Sequence, residues 1–480
     1  MTSDQHIPGQ KGSLRPSRRS IIKAAGATAL ATSLGFATAG HAAAEDDIAA
    51  TRDVLIVGAG FAGITAAREL RSRFPKLKIQ ILEARDRIGG RTWTRAFAGE
   101  QVELGGTWVD PKQRNIWREV QRYKLELTED AGPTRAIFPA NGGFASFAPE
   151  EAFARQAELL TPLFDGSQQY FERPYEPFYR EDLLNPIDRM SLRDKLDQLK
   201  YSAADEAWVS ATTGGYAGSS TTGSLSQLAQ WWALSGWNYE GYLSVNTWRP
   251  KVGTAGLLKA MLADADATLR LNTPVTQIAD DGKRVFVRTA AGQTYTARSV
   301  VVAVPANVWN TIKFSSLPSE FGALSTAGMG VRTAKKAVVH VTGKDLGRFY
   351  AEAPEGSPIS LVVPFSERSD GNIIITFSVD PNLDVNSTAQ MQTALRGFVP
   401  DLNVVSVLGQ NWGGANYSLG GWSFRKPGQL TGPLRTVQRR QGLITFATSD
   451  IASGWNGFMD GAIESGSAAA VQTAEALGLA

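Results

Sequence analysis

Residues 53–70 read DVLIVGAGFAGITAAREL, and residues 78–91 read KIQILEARDRIGGR. In the first stretch, the apolar run 54–57 predicts a strand buried on both faces, and residues 64–71 predict a helix. In the second stretch, residues 78–82 predict another strand. The succession of strand, helix and strand predicts the βαβ unit of a parallel sheet.

The turn between the first strand and the helix carries three glycines, Gly58, Gly60 and Gly63, in G-x-G-x-x-G spacing, with Phe61 and Ala62 inside it. Glycines permit a tight turn and let the backbone approach a pyrophosphate, and the helix N-terminus offers partial positive charge. Glycine-rich turns also occur for steric reasons alone. Here they stand between a strand and a helix, which favours a dinucleotide site.

An acidic residue ends the second strand. Glu83 stands twenty residues after Gly63 and is followed by Ala84 and Arg85. A carboxylate at this distance is placed to accept hydrogen bonds from a ribose hydroxyl. We therefore count these three residues in the cofactor site.

Two basic residues and two glycines extend the unit as Arg87-Ile88-Gly89-Gly90-Arg91. This resembles the R-x-G-G-R segment of the flavin amine oxidases and their wider FAD-binding relatives. The resemblance implies FAD as the cofactor, with Gly90 and Arg91 among its contacts. It also implies a glutathione-reductase-like FAD domain, in an α/β fold of the monoamine oxidase type, joined to an α+β substrate domain.

Composition narrows the chemistry further. The 480 residues contain no cysteine and three histidines, His6, His41 and His340. Without cysteine there is no disulfide, thiolate metal site or cysteinyl–flavin bond, so we expect noncovalent FAD and no metal. We expect His340 to be a satisfied strand residue rather than a base.

The first 44 residues are best excluded from the fold. Ser17 to Lys23 reads SRRSIIK, a twin-arginine pattern, and a mild apolar stretch and small residues follow. We expect a signal peptide over residues 1–44 and periplasmic export. Without it the chain carries 44 basic and 45 acidic residues, a formal charge of −1, which gives no reason to expect nucleic acid.

The paired glycines recur after a short alternating strand, in Glu103-Leu104-Gly105-Gly106-Thr107-Trp108. A bulge is one explanation, and close approach to a flat ring is the other. In the flavin amine oxidases the matching segment lies against the isoalloxazine. The resemblance therefore places Gly105, Gly106, Thr107 and Trp108 in the cofactor site.

Patterns along the rest of the chain divide it into two domains. Residues 125–250 are predicted to be mainly helical and rich in aromatics, whereas strand and helix patterns return at residue 253. We assign residues 51–125, 251–315 and 433–480 to the FAD domain. Residues 126–250 and 316–432 are assigned to the substrate domain.

Two strands of these regions carry family positions. Val275 matches the valine whose backbone pairs with the adenine. Lys336 matches the active-site lysine that holds a water against the flavin N5. Because Lys335 is adjacent, either side chain could instead be solvated.

The C-terminal region resembles the closing motif of the family. The strand 443–447 is followed by Thr448-Ser449-Asp450, and a glycine-rich turn containing Phe458 and Met459 opens the last helix. The family has F-A-G-E where this chain has F-A-T-S-D, so the resemblance gives Asp450 the place of the glutamate that contacts the ribityl chain. A helix N-terminus aimed at the flavin would stabilise negative charge on the reduced ring.

Trp422 and Phe458 match the two walls of the family's aromatic cage. Rings that face each other and stand perpendicular to a flavin leave a slot for an amine and its α-carbon. The alternative is that both rings are packing residues. We take Lys336, Trp422 and Phe458 as the candidate catalytic residues.

The resemblance implies oxidation of an amine to an imine that hydrolyses to a carbonyl compound, with dioxygen or an electron-transfer protein as acceptor. Within the family, the chain is most similar to bacterial tobacco-alkaloid oxidases. That similarity implies a secondary or tertiary N-methyl amine with a pyridine ring, such as pseudooxynicotine or nicotine. Polyamine or aromatic monoamine oxidation is the alternative, followed by an FAD-dependent desaturase or L-amino-acid oxidase. A homodimer is compatible with the sequence.

Overall fold

The two strands of the N-terminal βαβ unit lie side by side in a sheet of eight strands. The computed structural model describes residues 51–479. The signal peptide expected over residues 1–44 lies outside the described residues.

The strands are, in chain order, β1 (Arg52–Val57), β2 (Ile79–Leu82), β3 (Thr94–Phe97), β4 (Glu100–Glu103), β5 (Leu127–Glu129), β6 (Arg135–Ala140), β7 (Gly143–Phe147), β8 (Trp248–Pro250), β9 (Thr268–Arg270), β10 (Val275–Asp280), β11 (Val285–Thr289), β12 (Thr294–Val302), β13 (Lys313–Phe314), β14 (Lys335–Thr342), β15 (Phe349–Glu352), β16 (Leu361–Arg368), β17 (Gly371–Ser378), β18 (Asn403–Asn411) and β19 (Ile444–Phe446).

The α-helices are α1 (Phe61–Arg73), α2 (Arg114–Arg122), α3 (Pro149–Leu160), α4 (Ser167–Tyr170), α5 (Glu181–Asp188), α6 (Leu192–Leu199), α7 (Ala203–Ser210), α8 (Leu225–Leu234), α9 (Tyr239–Ser244), α10 (Gly253–Ala265), α11 (Ser319–Ala327), α12 (Thr388–Arg396), α13 (Leu434–Val437) and α14 (Met459–Ala476). Short 3₁₀ turns occupy Thr161–Phe164, Ala306–Thr311 and Ser449–Ile451, and a π-helical turn occupies Ala211–Gly215.

The first sheet has eight strands in the order β13-β10-β11-β12-β1-β2-β9, with β19 pairing the later half of β12. Strands β12, β1, β2 and β9 run parallel, which is the arrangement that a βαβ crossover requires. In β1, Val54, Leu55 and Ile56 are fully buried, because helices cover the sheet where it is parallel. Helices α1, α10 and α14 pack into the same apolar core as this strand.

The second sheet has seven strands in the order β18-β14-β17-β16-β15-β6-β7. All neighbours run antiparallel except β15 and β6. Helix α12 packs against this sheet in an apolar core of its own. The fold therefore combines a sheet with parallel central strands, built from separate stretches of the chain, with a second sheet that is mostly antiparallel. This architecture confirms the predicted fold class. The domain boundaries stay a prediction, since the chain from Arg52 onward packs as one compact unit.

Residues 125–250 are mainly helical, as predicted, although strands occupy their start. Strands β5, β6 and β7 precede the first helix of this segment. Strands β6 and β7 form a hairpin whose turn contains Asn141 and Gly142, both with positive φ (52° and 76°). An Asn-Gly pair is a strong local hairpin signal, since both residues adopt this conformation at low cost.

Candidate active site

A cavity of about 850 Å³ opens where the parallel strands of the first sheet end. Its wall includes Gly58 after β1, Glu83 after β2, Ala303 after β12 and Thr448 beyond β19. Ligands of parallel α/β sheets bind at the carboxyl ends of the strands, because the following loops converge there. The position is therefore set by the topology of the sheet.

The glycine-rich turn forms one end of the cavity. Gly58 has a φ of +109°, and a Cβ there would lie 2.5 Å from the carbonyl oxygen of Ala303. Gly63 does not line the cavity, because it packs directly on the carbonyl oxygen of Gly58, 2.1 Å from where its Cβ would lie. Helix α1 begins at Phe61 rather than at residue 64, and no side chain caps its N-terminus. Its first N–H groups are thus oriented for an anion.

Gly60 differs from Gly58 because neither its backbone conformation nor its neighbours exclude a side chain. Its φ is an ordinary −87°, and the nearest atoms to a Cβ would be Gly89 O and Gly90 Cα, both 3.9 Å away. The protein itself therefore leaves room for a side chain at this position. The space opens into the cavity, where a pyrophosphate group needs close contact with the backbone.

The Glu83 carboxylate is buried and held by two main-chain donors. Ala59 N donates to Oε2 at 2.8 Å, and Arg85 N donates to Oε1 at 2.9 Å. Each oxygen keeps a lone pair, so the group can also accept from ribose hydroxyls. The residues fit the nucleotide part of FAD.

Asp450 does not line the cavity, in contrast to the role that the resemblance implies. The side chain is fully buried, forms an ion pair with Arg91 Nη2 at 2.7 Å and accepts from Ala306 N at 2.8 Å. Being one carbon shorter than glutamate, it is used within the protein, while Thr448 and Ser449 form the wall. Asp450 positions Arg91, which does line the cavity.

Lys336 lies on β14 and reaches across to the Gly105–Thr107 turn. Its Nζ donates to Gly105 O at 2.9 Å and to Thr107 Oγ1. The ammonium lies 5.2 Å from the ring centroid of Trp108 and 5.4 Å from that of Phe377. One of its three N–H groups remains to face the cavity.

Burial is the largest cause of the pKa shifts of Lys336 and Glu103 at this end of the cavity. Lys336 is 2% exposed, and burial lowers its pKa to about 7, although the charges of Glu103 and Asp130 act in the opposite direction. Burial raises the pKa of Glu103, which accepts hydrogen bonds from Thr94 and Thr254. A lysine with this pKa changes protonation near neutral pH.

Trp422 and Phe458 both line the cavity, and neighbouring aromatic rings hold each in place. The Trp422 indole N–H donates to Tyr216 O at 2.7 Å, and its ring meets those of Tyr216 and Phe377 edge to face. Phe458 meets Trp231 and Trp455 at centroid distances of 5.2 and 5.1 Å, also edge to face.

The structure brings together all but two of the predicted site residues. Gly63 and Asp450 do not line the cavity. The residues that do line it are Gly58, Gly60, Phe61, Ala62, Glu83, Ala84, Arg85, Gly90, Arg91, Gly105, Gly106, Thr107, Trp108, Val275, Lys336, Trp422, Phe458 and Met459. Lys335 points elsewhere: its Nζ donates to three carbonyl oxygens of the loop 380–383. His340 is a buried strand residue, and its Nε2 lies 3.0 Å from the main-chain oxygen of Asp370.

The wall also contains residues that the sequence analysis missed. They are polar or aromatic and come from distant elements: Gln156, Tyr216, Trp231, Tyr242, Tyr350, Glu352, Phe377 and Trp412. A glutamate that ends the apolar strand FYAE was the one local signal among them. The others lacked a pattern because packing alone brings them to the cavity.

Helices long and apolar enough to cross a membrane do not occur among residues 51–479. The same part of the chain contains no cluster of histidine and acidic side chains with the arrangement of a metal site.

Comparison with known proteins adds three findings. Residues 61–474 match the family of flavin-containing amine oxidoreductases. The chain is 35% identical to pseudooxynicotine dehydrogenase of a Pseudomonas species over 441 residues, 88% of this chain and 86% of that protein. It is 33% identical to nicotine dehydrogenase of Pseudomonas putida (strain DSM 28022 / S16) over 464 residues, 94% and 95% of the two chains.

Among solved structures, cyclohexylamine oxidase from Brevibacterium oxydans IH-35A superposes with a TM-score of 0.71 at 19% identity. The match covers 89% of this chain and 99% of that one. A likeness at this identity concerns the fold.

Proposed function

The chain belongs to the flavin-containing amine oxidoreductases, and on this premise we propose that it oxidises a C–N bond of a pyridine-type alkaloid amine. The substrate class is a secondary or tertiary, N-methyl amine such as pseudooxynicotine or nicotine. Oxidation removes a hydride from the carbon next to nitrogen and leaves an imine, which water hydrolyses to a carbonyl compound. The two Pseudomonas relatives support this class.

The observation that carries the proposal is the pair of rings, Trp422 and Phe458, in the wall of one cavity with Lys336. FAD, when bound, supplies the acceptor for two electrons. The rings present π-faces that orient an amine and exclude water from it. Edge-to-face neighbours restrict the motion of both rings, so the orientation of each ring is preorganised.

Lys336 is assigned a role in the half-reaction that follows amine oxidation. Two of its N–H groups fix the Gly105–Thr107 turn, and the third can hold a water molecule at the cavity wall. Since its pKa is lowered to about 7 by burial, the lysine exists in both protonation states near neutral pH. The proposed acceptor is dioxygen or an electron-transfer protein.

An anaerobic titration tests the proposal. The FAD absorbance near 450 nm should bleach when pseudooxynicotine or nicotine is added, and the carbonyl product should appear in the anaerobic mixture as the imine hydrolyses. Putrescine and benzylamine serve as comparison substrates for polyamine and aromatic monoamine oxidation. Bleaching by these two, and by neither pyridine amine, would contradict the proposed substrate class.

A further inference from the structure

One carboxyl group in the cavity wall has no part in the proposed reaction. Glu352 ends β15, is 4% exposed and lines the cavity. Gln156 Nε2 donates to its Oε2 at 2.7 Å, and the Tyr350 hydroxyl donates to its Oε1. The Tyr239 hydroxyl in turn donates to Gln156 Oε1. The carboxyl is therefore fixed in direction by a network from three elements.

Within residues 51–479 no lysine, arginine or histidine forms an ion pair with Glu352, although it is buried. Burial raises its pKa to about 7. The surrounding phenols of Tyr216, Tyr239, Tyr242 and Tyr350 also have raised pKa values and stay neutral. Glu352 is thus the group of this cluster that can change charge near neutral pH.

The two carboxyl oxygens retain the capacity for further hydrogen bonds. Each one accepts a single hydrogen bond from the protein, although a carboxylate oxygen has two lone pairs. A buried acid without a cation is costly unless it is protonated or meets a basic group. A basic nitrogen brought by a ligand would supply the missing partner.

Glu352 lies on the amine side of the cavity. Tyr216 links it to the aromatic pair, because its main-chain oxygen accepts from the Trp422 indole and its ring lies edge to face with that indole. Tyr216, Trp422 and Glu352 also line one small void beside the main cavity. A substrate held at Trp422 can therefore extend toward Glu352.

We propose that Glu352, held by Tyr350 and Gln156, anchors a second basic nitrogen of the substrate, remote from the amine that is oxidised. The inference rests on the proposed function and deepens it. The class of substrate is an amine that also carries a pyridine-type ring nitrogen. The anchor determines specificity and takes no part in the oxidation itself.

The proton balance favours such a nitrogen. The carboxyl O–H and the ring nitrogen share one proton, which stays between them whether the pair is neutral or ionic. Binding therefore adds no net charge to the buried cluster. A ring with carbon in place of nitrogen leaves the carboxyl without a partner, and a site built for a hydrogen bond rejects such an analogue.

The test compares two amines that differ in one ring atom. They are 4-(methylamino)-1-(pyridin-3-yl)butan-1-one and its phenyl analogue. Their dissociation constants come from the concentration dependence of anaerobic flavin reduction. In the wild-type holoenzyme the pyridyl amine should bind at least about tenfold more tightly. The limiting rate of reduction should be similar for both.

Glu352→Met removes the anchor and should bring the ratio of the two dissociation constants close to one. Glu352→Gln keeps an N–H donor for the ring nitrogen and should give an intermediate ratio. Glu464→Gln is the matched control, because Glu464 is a half-buried glutamate whose pKa is also raised to about 7 but which does not line the cavity. Its ratio should equal that of the wild type.

A wild-type ratio near one, or a wild-type ratio preserved in Glu352→Met, would overturn the anchor. The wild-type measurement requires no variant, so the inference is tested even where a substitution unfolds the protein. Flavin that neither amine reduces would overturn the proposed substrate class and the anchor with it. Reduction by both amines with equal affinity would overturn the anchor alone.

Discussion

Gly58 and Gly60 lie two residues apart in one turn and are glycines for different reasons. At Gly58 the φ of +109° and the neighbouring Ala303 carbonyl exclude any side chain. At Gly60 the backbone is ordinary and the nearest atoms lie 3.9 Å from a Cβ. The first glycine is required by the fold, and we predict that the second is required by the cofactor.

A substitution separates these two requirements. Gly60→Val should fold with an unchanged circular dichroism spectrum but lose FAD, because its side chain would fill the space of the pyrophosphate. Gly58→Val should fail to fold. The measurements are the flavin-to-protein absorbance ratio and the far-ultraviolet spectrum of each purified variant. Full FAD content in Gly60→Val would remove this turn from the cofactor site.

Burial of Lys336 makes the free energy of unfolding rise with pH. Its pKa in the folded state is lowered to about 7 by burial, below the 10.5 of an unperturbed lysine. Between these values the unfolded chain binds more protons than the folded one, so stability rises with pH. The cost of burying the charged form is largest below pH 7.

We therefore expect the wild type to gain stability relative to Lys336→Met as the pH is raised from 6 to 9. Glu103 acts in the same direction, because removing the lysine leaves its already raised pKa higher in the variant. Denaturant unfolding of both proteins at several pH values gives the difference in the free energy of unfolding. A difference independent of pH would mean that Lys336 keeps its ordinary pKa.

At the scale of the element, β14 explains what sequence reasoning could and could not resolve about its two lysines. Alternation along a strand sends neighbours to opposite faces, so at most one lysine of the pair could face the cavity. The sequence did not show that Lys335 is buried too, since its three carbonyl acceptors come from the loop 380–383. Such partners depend on tertiary packing.

The glycine turns, the βαβ unit and the aromatic pair were predictable because their chemistry is local or matches a family motif. The hairpin β6–β7 was predictable from Asn141-Gly142 but was missed. Asp450 and Glu352 were not predictable in their roles. The first pairs with Arg91, which lies far away in the chain, and the second gains one of its two partners, Gln156, from a helix 196 residues away.

A further prediction at the scale of the element concerns the aromatic pair. Trp422 lies in a loop, and Phe458 immediately precedes α14. Trp422→Ala and Phe458→Ala should each slow anaerobic flavin reduction on the order of a hundredfold, because about 1 Å of misplacement at a reacting centre has such an effect. Both variants should keep FAD. Stopped-flow absorbance at saturating amine measures the rate.

Trp309→Phe is the control for the aromatic pair, because Trp309 is buried among Phe321 and Phe446 and does not line the cavity. It should leave the reduction rate unchanged. Wild-type rates of flavin reduction in both Trp422→Ala and Phe458→Ala would mean that the two rings serve only in packing.

For the molecule as a whole, the absence of cysteine from all 480 residues limits how the flavin is retained. We expect acid precipitation to release all yellow colour into the supernatant, since affinity then depends on folded contacts alone. The absorbance of the supernatant and of the washed pellet gives the distribution. Colour that stays with the pellet would show a covalent bond.

We also propose that residues 1–44 direct the folded enzyme to the periplasm through the twin-arginine route. Replacing Arg18 and Arg19 by lysine should retain the protein in the cytoplasm with its FAD bound. Arg15→Lys, outside the arginine pair, is the control. Cell fractionation followed by flavin fluorescence measures the outcome, and an unchanged periplasmic share in the double variant would contradict the proposal.

The order in which the cavity wall occurs along the chain has a consequence for biosynthesis. The glycine turn is made first, whereas β19, Thr448 and the start of α14 are made almost 400 residues later in the chain. The cavity is therefore incomplete until the segment from β19 to α14 has been made, and a shorter nascent chain offers only part of the nucleotide site. We therefore expect the flavin to bind only after this segment has been made, so a ribosome-stalled chain that ends before β19 should lack the flavin colour.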